Sequence, residues 1–202
     1  MQVKYIKALS IKKIYAERII NGTKTIELRK RPIGMELGDL ILLYETAPDS
    51  IIQGGFIADK LISLPVSQMW KEYHALMGVE KEFYDSYFEN CEIAYGTLIY
   101  KSFTFPQLSL EEIYKLCPGF VPPQATINWR ENWYLKPEWI DALDEGRDQL
   151  MQEGRLSECR CCPSNWITAC HDWVAHPLHP HVVTQSLASA CPHDSRVVLG
   201  RG

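Results

Sequence analysis

Between residues 22 and 31 the chain reads GTKTIELRKR. Four cations, Lys24, Arg29, Lys30 and Arg31, stand here around one carboxylate, Glu27. Cations at this density suit an anion, above all a phosphate, whose oxygens accept charge-assisted hydrogen bonds. Strand alternation places Thr25, Glu27, Arg29 and Arg31 on one face, and Ile26 and Leu28 on the other, where they belong in a core. On the polar face Glu27 can hold the Arg29 guanidinium in a fixed direction. A carboxylate held that way also accepts donors from a nucleobase edge, or takes a proton as a general base. The plainer alternative is an exposed ion pair, worth under about 1 kcal/mol.

The cations belong to a wider asymmetry. The 202-residue chain has a formal net charge of -4. Residues 1–35 hold nine Lys or Arg against Glu17 and Glu27, a balance of +7, so the remainder carries -11. A basic end on an acidic body suits a local anionic ligand, nucleic acid first among them, with a solvated basic face as the alternative. Composition reads as a soluble globular chain of about one domain, without a membrane-spanning run or a signal sequence, and a cytoplasmic location is the default. No cofactor is implied.

These residues need elements to position them. IKKIYAERII, residues 11–20, has Ile11, Ile14, Tyr15 and Ile19 at helical spacing, with Ser10 as N-cap and Asn21-Gly22 as the stop. Lys12 and Lys13 fall in its first turn, where a cation opposes the helix dipole, so an anionic ligand explains them better than local stability does. TKTIELR follows as a strand, then a Gly38-Asp39 turn and the strand LILLYE. IIQGGFIADKLIS reads as a strand in which Gly54-Gly55 marks a bulge or a close approach. Helices over 66–77 and 80–89, a strand over 92–104, a capping box from Ser109 to Glu112 opening a short helix, and a helix from Pro137 complete the body. Strands and helices do not alternate strictly, which indicates an α+β fold around a small β-barrel.

Other residues offer weaker chemistry. Tyr44, ending LILLYE, is a candidate base-stacking platform or a half-buried barrel-end ring. Trp70, Tyr73, Met77, Phe83, Tyr84 and Tyr87 fall at helical spacings that favour a lid or core. Trp129 and Trp133 flank Arg130, which suits either single-stranded nucleic acid or packing over the barrel end. Residues 151–202 hold five of the seven cysteines and five of the six histidines, but no lysine or tyrosine. Cys159, Cys161, Cys162, Cys170 and His171 have the right types for zinc but poor spacing, so no metal site is assigned. The expected organisation is a domain over 1–150 and a disordered Cys/His-rich extension over 151–202, whose different residue usage also fits a shifted frame or a fusion.

The run of helix, Asn-Gly, GTKTIELRKR, Gly-Asp turn and LILLYE resembles the ASCH domain, a relative of the PUA RNA-binding domains. Gly22, Lys24, Glu27, Arg29, Gly38 and Asp39 match its pattern G-x-K-x-x-E-x-R and the turn after it. The likeness extends over roughly residues 3–125, with a body similar to bacterial or phage members. It implies a PUA-like barrel with flanking helices and a cleft that binds RNA or nucleotides. One family type resembles an amidohydrolase of acetylated cytidine that uses a Lys, a Thr three residues on and a later Glu. Lys24 fits, but Glu27 replaces the Thr, and Ala58 or Asp59 stands where the Glu is expected. Other members resemble ribonucleases, for which Lys24 and Glu27 are catalytic candidates. The sequence therefore favours a basic cleft that binds RNA or nucleotides, a regulatory role being one possible use, with Lys12, Lys13, Lys24, Thr25, Glu27, Arg29, Arg31 and Tyr44 as contacts. A small hydrolase acting on single-stranded RNA or a modified nucleoside is the alternative.

Overall fold

The computed structural model describes residues 5–156. The expectations of disorder and zinc ligation in the Cys/His-rich extension concern residues almost wholly outside that range. The element order is β1 (Ile6–Ile11), α1 (Lys13–Ile20), β2 (Ile26–Arg29), β3 (Leu40–Glu45), β4 (Ile51–Pro65), α2 (Val66–Met77), α3 (Lys81–Tyr87), β5 (Ile93–Ser109), α4 (Leu110–Leu116), β6 (Thr126–Asn128) and α5 (Pro137–Gln152). Among these residues no helix is long and apolar enough to cross a membrane.

Local signals set several boundaries. The Ser109–Glu112 capping box opens α4, and Pro137 occupies the first turn of α5. Helix α2 stops at Gly78, which takes a left-handed conformation with φ of 59°. Helix α1 departs from expectation. Ser10 lies in β1, Lys12 is the N-cap, and no side chain caps the helix. The Ser10 hydroxyl donates instead to the Pro123 carbonyl. Strand β1, IKALSI, is buried along its whole length, so it shows no alternation by which to recognise it.

The six strands form one mixed sheet in the order β2-β5-β4-β3-β1-β6, with β1 and β3 parallel and the other pairs antiparallel. This is an open sheet and not the closed barrel the sequence suggested: the outer strands β2 and β6 do not pair with each other. Strand length accounts for it. β6 has three residues and covers only Lys7 to Leu9 of β1, and β2 has four. Curvature is still present, because the register of the long β4–β5 ribbon shifts between Ile52 and Gly54, and again between Ile57 and Leu61. Gly54 also permits close approach by α1: a Cβ there would lie 2.5 Å from Ile20 Cδ1.

Helices cover both faces. Ile26, Leu28, Met69, Met77, Tyr84 and Phe88 form a core beneath α2 and α3. Leu9, Ile19, Ile41 and Leu43 pack between α1 and the sheet. A third and larger core holds Tyr44, Phe120, Trp129, Trp133 and Trp139. Tyr44 is thus a core ring, edge-on to Phe120 at 5.9 Å, with no face open for a base. Trp129 and Trp133 are 5.2 Å apart, and their indole N–H groups donate to Tyr134 O and Pro118 O. Their alternation with Arg130 reflects packing.

Candidate functional site

The loop between α1 and β2 is pinned by main-chain bonds. Lys24 N donates to Arg18 O, and Thr25 N donates to Leu76 O, both at 2.9 Å. Gly78, just past α2, lies against this loop, so a Cβ there would come within 3.1 Å of Lys24 Cβ. Lys24 is therefore 3% exposed, and its ammonium donates to Met77 O at 3.2 Å, at the C-terminal end of α2. A cation is favourable there because the last carbonyls of a helix are unpaired and the macrodipole is negative. Arg18 donates to Gly78 O at the same helix end.

Glu27 is the hub. It is 5% exposed, with Lys24 Nζ 3.6 Å from Oε2. Arg29 Nε donates to Oε1 at 2.9 Å, and Nη2 of the same guanidinium lies 2.9 Å from that oxygen. Nη2 also donates to Ser10 O at 2.9 Å. Ser10 N donates to Ala125 O at 2.9 Å, just before β6, and the Ser10 carbonyl accepts from Arg29. The Arg29 side chain thus crosses from β2 to β1, where main-chain pairing does not close the sheet. Nη1 has no hydrogen bond within the described residues. Two cations share one carboxylate, so the cluster carries a formal surplus of one positive charge. Burial lowers the Lys24 pKa below its ordinary value; Glu27 opposes that shift, and Arg29 and Arg18 add to it.

The alternation expected for β2 is present, but both faces are covered. Ile26 and Leu28 face the α2–α3 core, while Glu27 and Arg29 line a cleft of about 220 Å³. Strand register supplies the rest of that cleft. Glu27 pairs with Thr97, which pairs on its other side with Leu61; Arg29 pairs with Tyr95, which pairs with Ser63. Thr97, Tyr95, Leu61 and Ser63 therefore line the cleft together with Pro32 and Ile33. None of these six was found from the sequence, since nothing local in β4 or β5 shows which residues of a partner strand they meet.

The other sequence candidates separate by exposure. Thr25 is partly buried beside the cluster, and Lys30 and Arg31 are exposed just beyond β2. Lys12 and Lys13 are exposed at the start of α1, and Lys13 lies 3.3 Å from Asp49, which raises the Lys13 pKa. Lys24 is too deeply buried to reach a phosphate as it stands. Asp59, considered for the amidohydrolase carboxylate, is paired with Arg155, and Ala58 is buried. Asp39 of the Gly-Asp turn is 1% exposed and paired with Lys7, and it accepts from Glu36 N at 2.8 Å, so it braces the turn.

Residues 9–103 match the ASCH domain. An ASCH domain-containing ribonuclease of Zymomonas mobilis subsp. mobilis is 26% identical over 115 residues, spanning 57% of this chain and 77% of the relative. A crystal structure of ASCH from Zymomonas mobilis superposes with a TM-score of 0.60 at 24% identity, covering 70% of this chain and 95% of the other. A mutant of the Zymomonas mobilis protein gives the same TM-score at 23% identity, covering 70% and 97%. At these identities the structural likeness establishes the fold.

Proposed function

We propose, from the match of residues 9–103 to the ASCH domain and the geometry above, that the Glu27–Arg29 cleft binds RNA or a nucleotide. The supporting observation is the Arg29 guanidinium. Glu27 Oε1 and Ser10 O hold it on the cleft wall, and Nη1 is left to donate to a phosphate oxygen. Lys30 and Arg31 extend the positive surface beyond the cleft mouth. Lys24 acts from behind: it holds Glu27 and adds positive potential without touching the ligand. The volume is below the roughly 300–1,000 Å³ of common small-molecule pockets, which suits one unit of a polymer. Tyr95 takes the stacking role that the sequence suggested for Tyr44.

Titration of labelled single-stranded RNA at several salt concentrations tests this. Affinity should fall by about 0.7 log units per log unit of salt for each phosphate contact. Arg29→Ala should weaken binding and remove about one such contact from the slope. Affinity that is flat with salt, or unchanged in Arg29→Ala, rejects the reading.

The second reading is hydrolysis of single-stranded RNA. It is favoured by the lysine held toward its neutral form beside a carboxylate, a pairing able to move a proton, and by the relative's description as a ribonuclease. Cleavage by the purified protein that is lost in Lys24→Met, with RNA binding retained, would establish it.

A further inference from the structure

Beyond the cleft, a row of rings joins α1 to α3. Tyr15 and Phe83 have centroids 5.6 Å apart, and Phe83 and Tyr87 are stacked at 6.1 Å with planes 10° from parallel. Cations border the row. Lys30 Nζ is 5.3 Å from the Tyr87 centroid, and Arg18 and Lys24 each approach Tyr15 at 5.9 Å. Tyr84 and Phe88 of the same segment are buried, but Phe83 is 41% exposed. Phe83 thus presents an apolar ring to solvent between two rings that carry the cations, Tyr15 and Tyr87.

We propose that the Tyr15–Phe83–Tyr87 row is a second binding subsite, which stacks a base of single-stranded RNA while Lys30 contacts the adjoining phosphate. This rests on the cleft reading above and extends it from one nucleotide to a strand. Aromatic rings interleaved with cations are the recurring solution for single strands, since every unpaired base offers a face and every linkage a charge. Duplex bases have no free face, so a duplex is excluded from the row. An acidic protein segment would satisfy the cations and leave the exposed Phe83 ring without a partner, so RNA fits better.

The test compares a dinucleotide with an octanucleotide of oligoadenylate, each single-stranded, and the octanucleotide annealed to oligouridylate. Wild-type protein should bind the single-stranded octamer more tightly than the dinucleotide and more tightly than the duplex. Phe83→Ala, an exposed position whose folding is checked by its melting temperature, should lower octamer affinity by about 5- to 150-fold, one stacked base, and leave the dinucleotide unchanged. Phe83→Trp should retain the gain. Arg29→Ala should weaken both lengths. The proposal is overturned if Phe83→Ala keeps the wild-type preference for length, weakens both lengths equally, or if the duplex binds as well as the single strand. If Arg29→Ala changes neither length while Phe83→Ala acts as expected, the cleft reading fails and the aromatic row alone binds. If neither oligonucleotide binds wild-type protein, both ideas fall.

Discussion

Replacing Glu27 with glutamine tests the charge arrangement at the centre of the site. Glu27 is 5% exposed and serves two cations, Lys24 at 3.6 Å and Arg29 at 2.9 Å. Removing one partner of a buried ion pair costs about 3–5 kcal/mol, because the other charge is left desolvated and uncompensated. Here the Arg29 side chain is 18% exposed, so water can relieve part of the loss, and the amide oxygen of glutamine can still accept from Nε. The expectation is about 2–4 kcal/mol, read as a lower urea midpoint at unchanged slope. Lys24→Met should cost less, since it removes one of two cations and leaves Glu27 bonded to Arg29. The decisive protein is the double variant. With Lys24 also replaced, the surplus charge of E27Q falls from two cations to one, so Lys24→Met/Glu27→Gln should be more stable than Glu27→Gln alone. A double variant less stable than either single, with costs that add, would refute the hub role of Glu27, because independent sites add and coupled sites do not.

Three further outcomes follow from the packing. The lowered Lys24 pKa means that, approaching its ordinary 10.5 from below, the unfolded chain binds more protons at this position than the folded chain does. Wild-type stability should therefore rise with pH there relative to Lys24→Met, in urea midpoints compared at pH 8, 9 and 10. Gly146→Ala would by helix propensity gain about 1 kcal/mol, but its Cβ would sit 2.3 Å from Ile57 Cγ1, where α5 packs on β4. Overpacking of about 1–3 kcal/mol should dominate, giving a lower melting temperature. Cys117 is buried, and its thiol pKa is pushed up to about 11, so peptide-resolved alkylation at pH 8 should label Cys91 well before Cys117.

Parts of the fold were legible because they are local. The bounds of β3 and α2, the α4 capping box and the α5 proline follow from residues within a few positions of one another. So did the β2 alternation, which separates Ile26 and Leu28 from Glu27 and Arg29. Strand β1 was missed because burial on every side erases periodicity, and helix α1 was consequently begun two residues too early.

By itself, then, the sequence determined the elements other than β1 and β6, the α+β class and the concentration of charge around GTKTIELRKR, all properties of neighbouring residues. Tertiary structure alone decided how that charge is buried and paired. It buried Lys24 against the end of α2, fifty-three residues on, and enclosed Glu27 between two cations. It placed Tyr44 in the core and brought Thr97 and Tyr95 across the sheet to β2. It left the sheet open where Arg29 crosses to Ser10. Whether a charge is exposed, paired or desolvated depends on distant groups that pack against it, and strand register, which one-dimensional patterns do not encode, selects those groups.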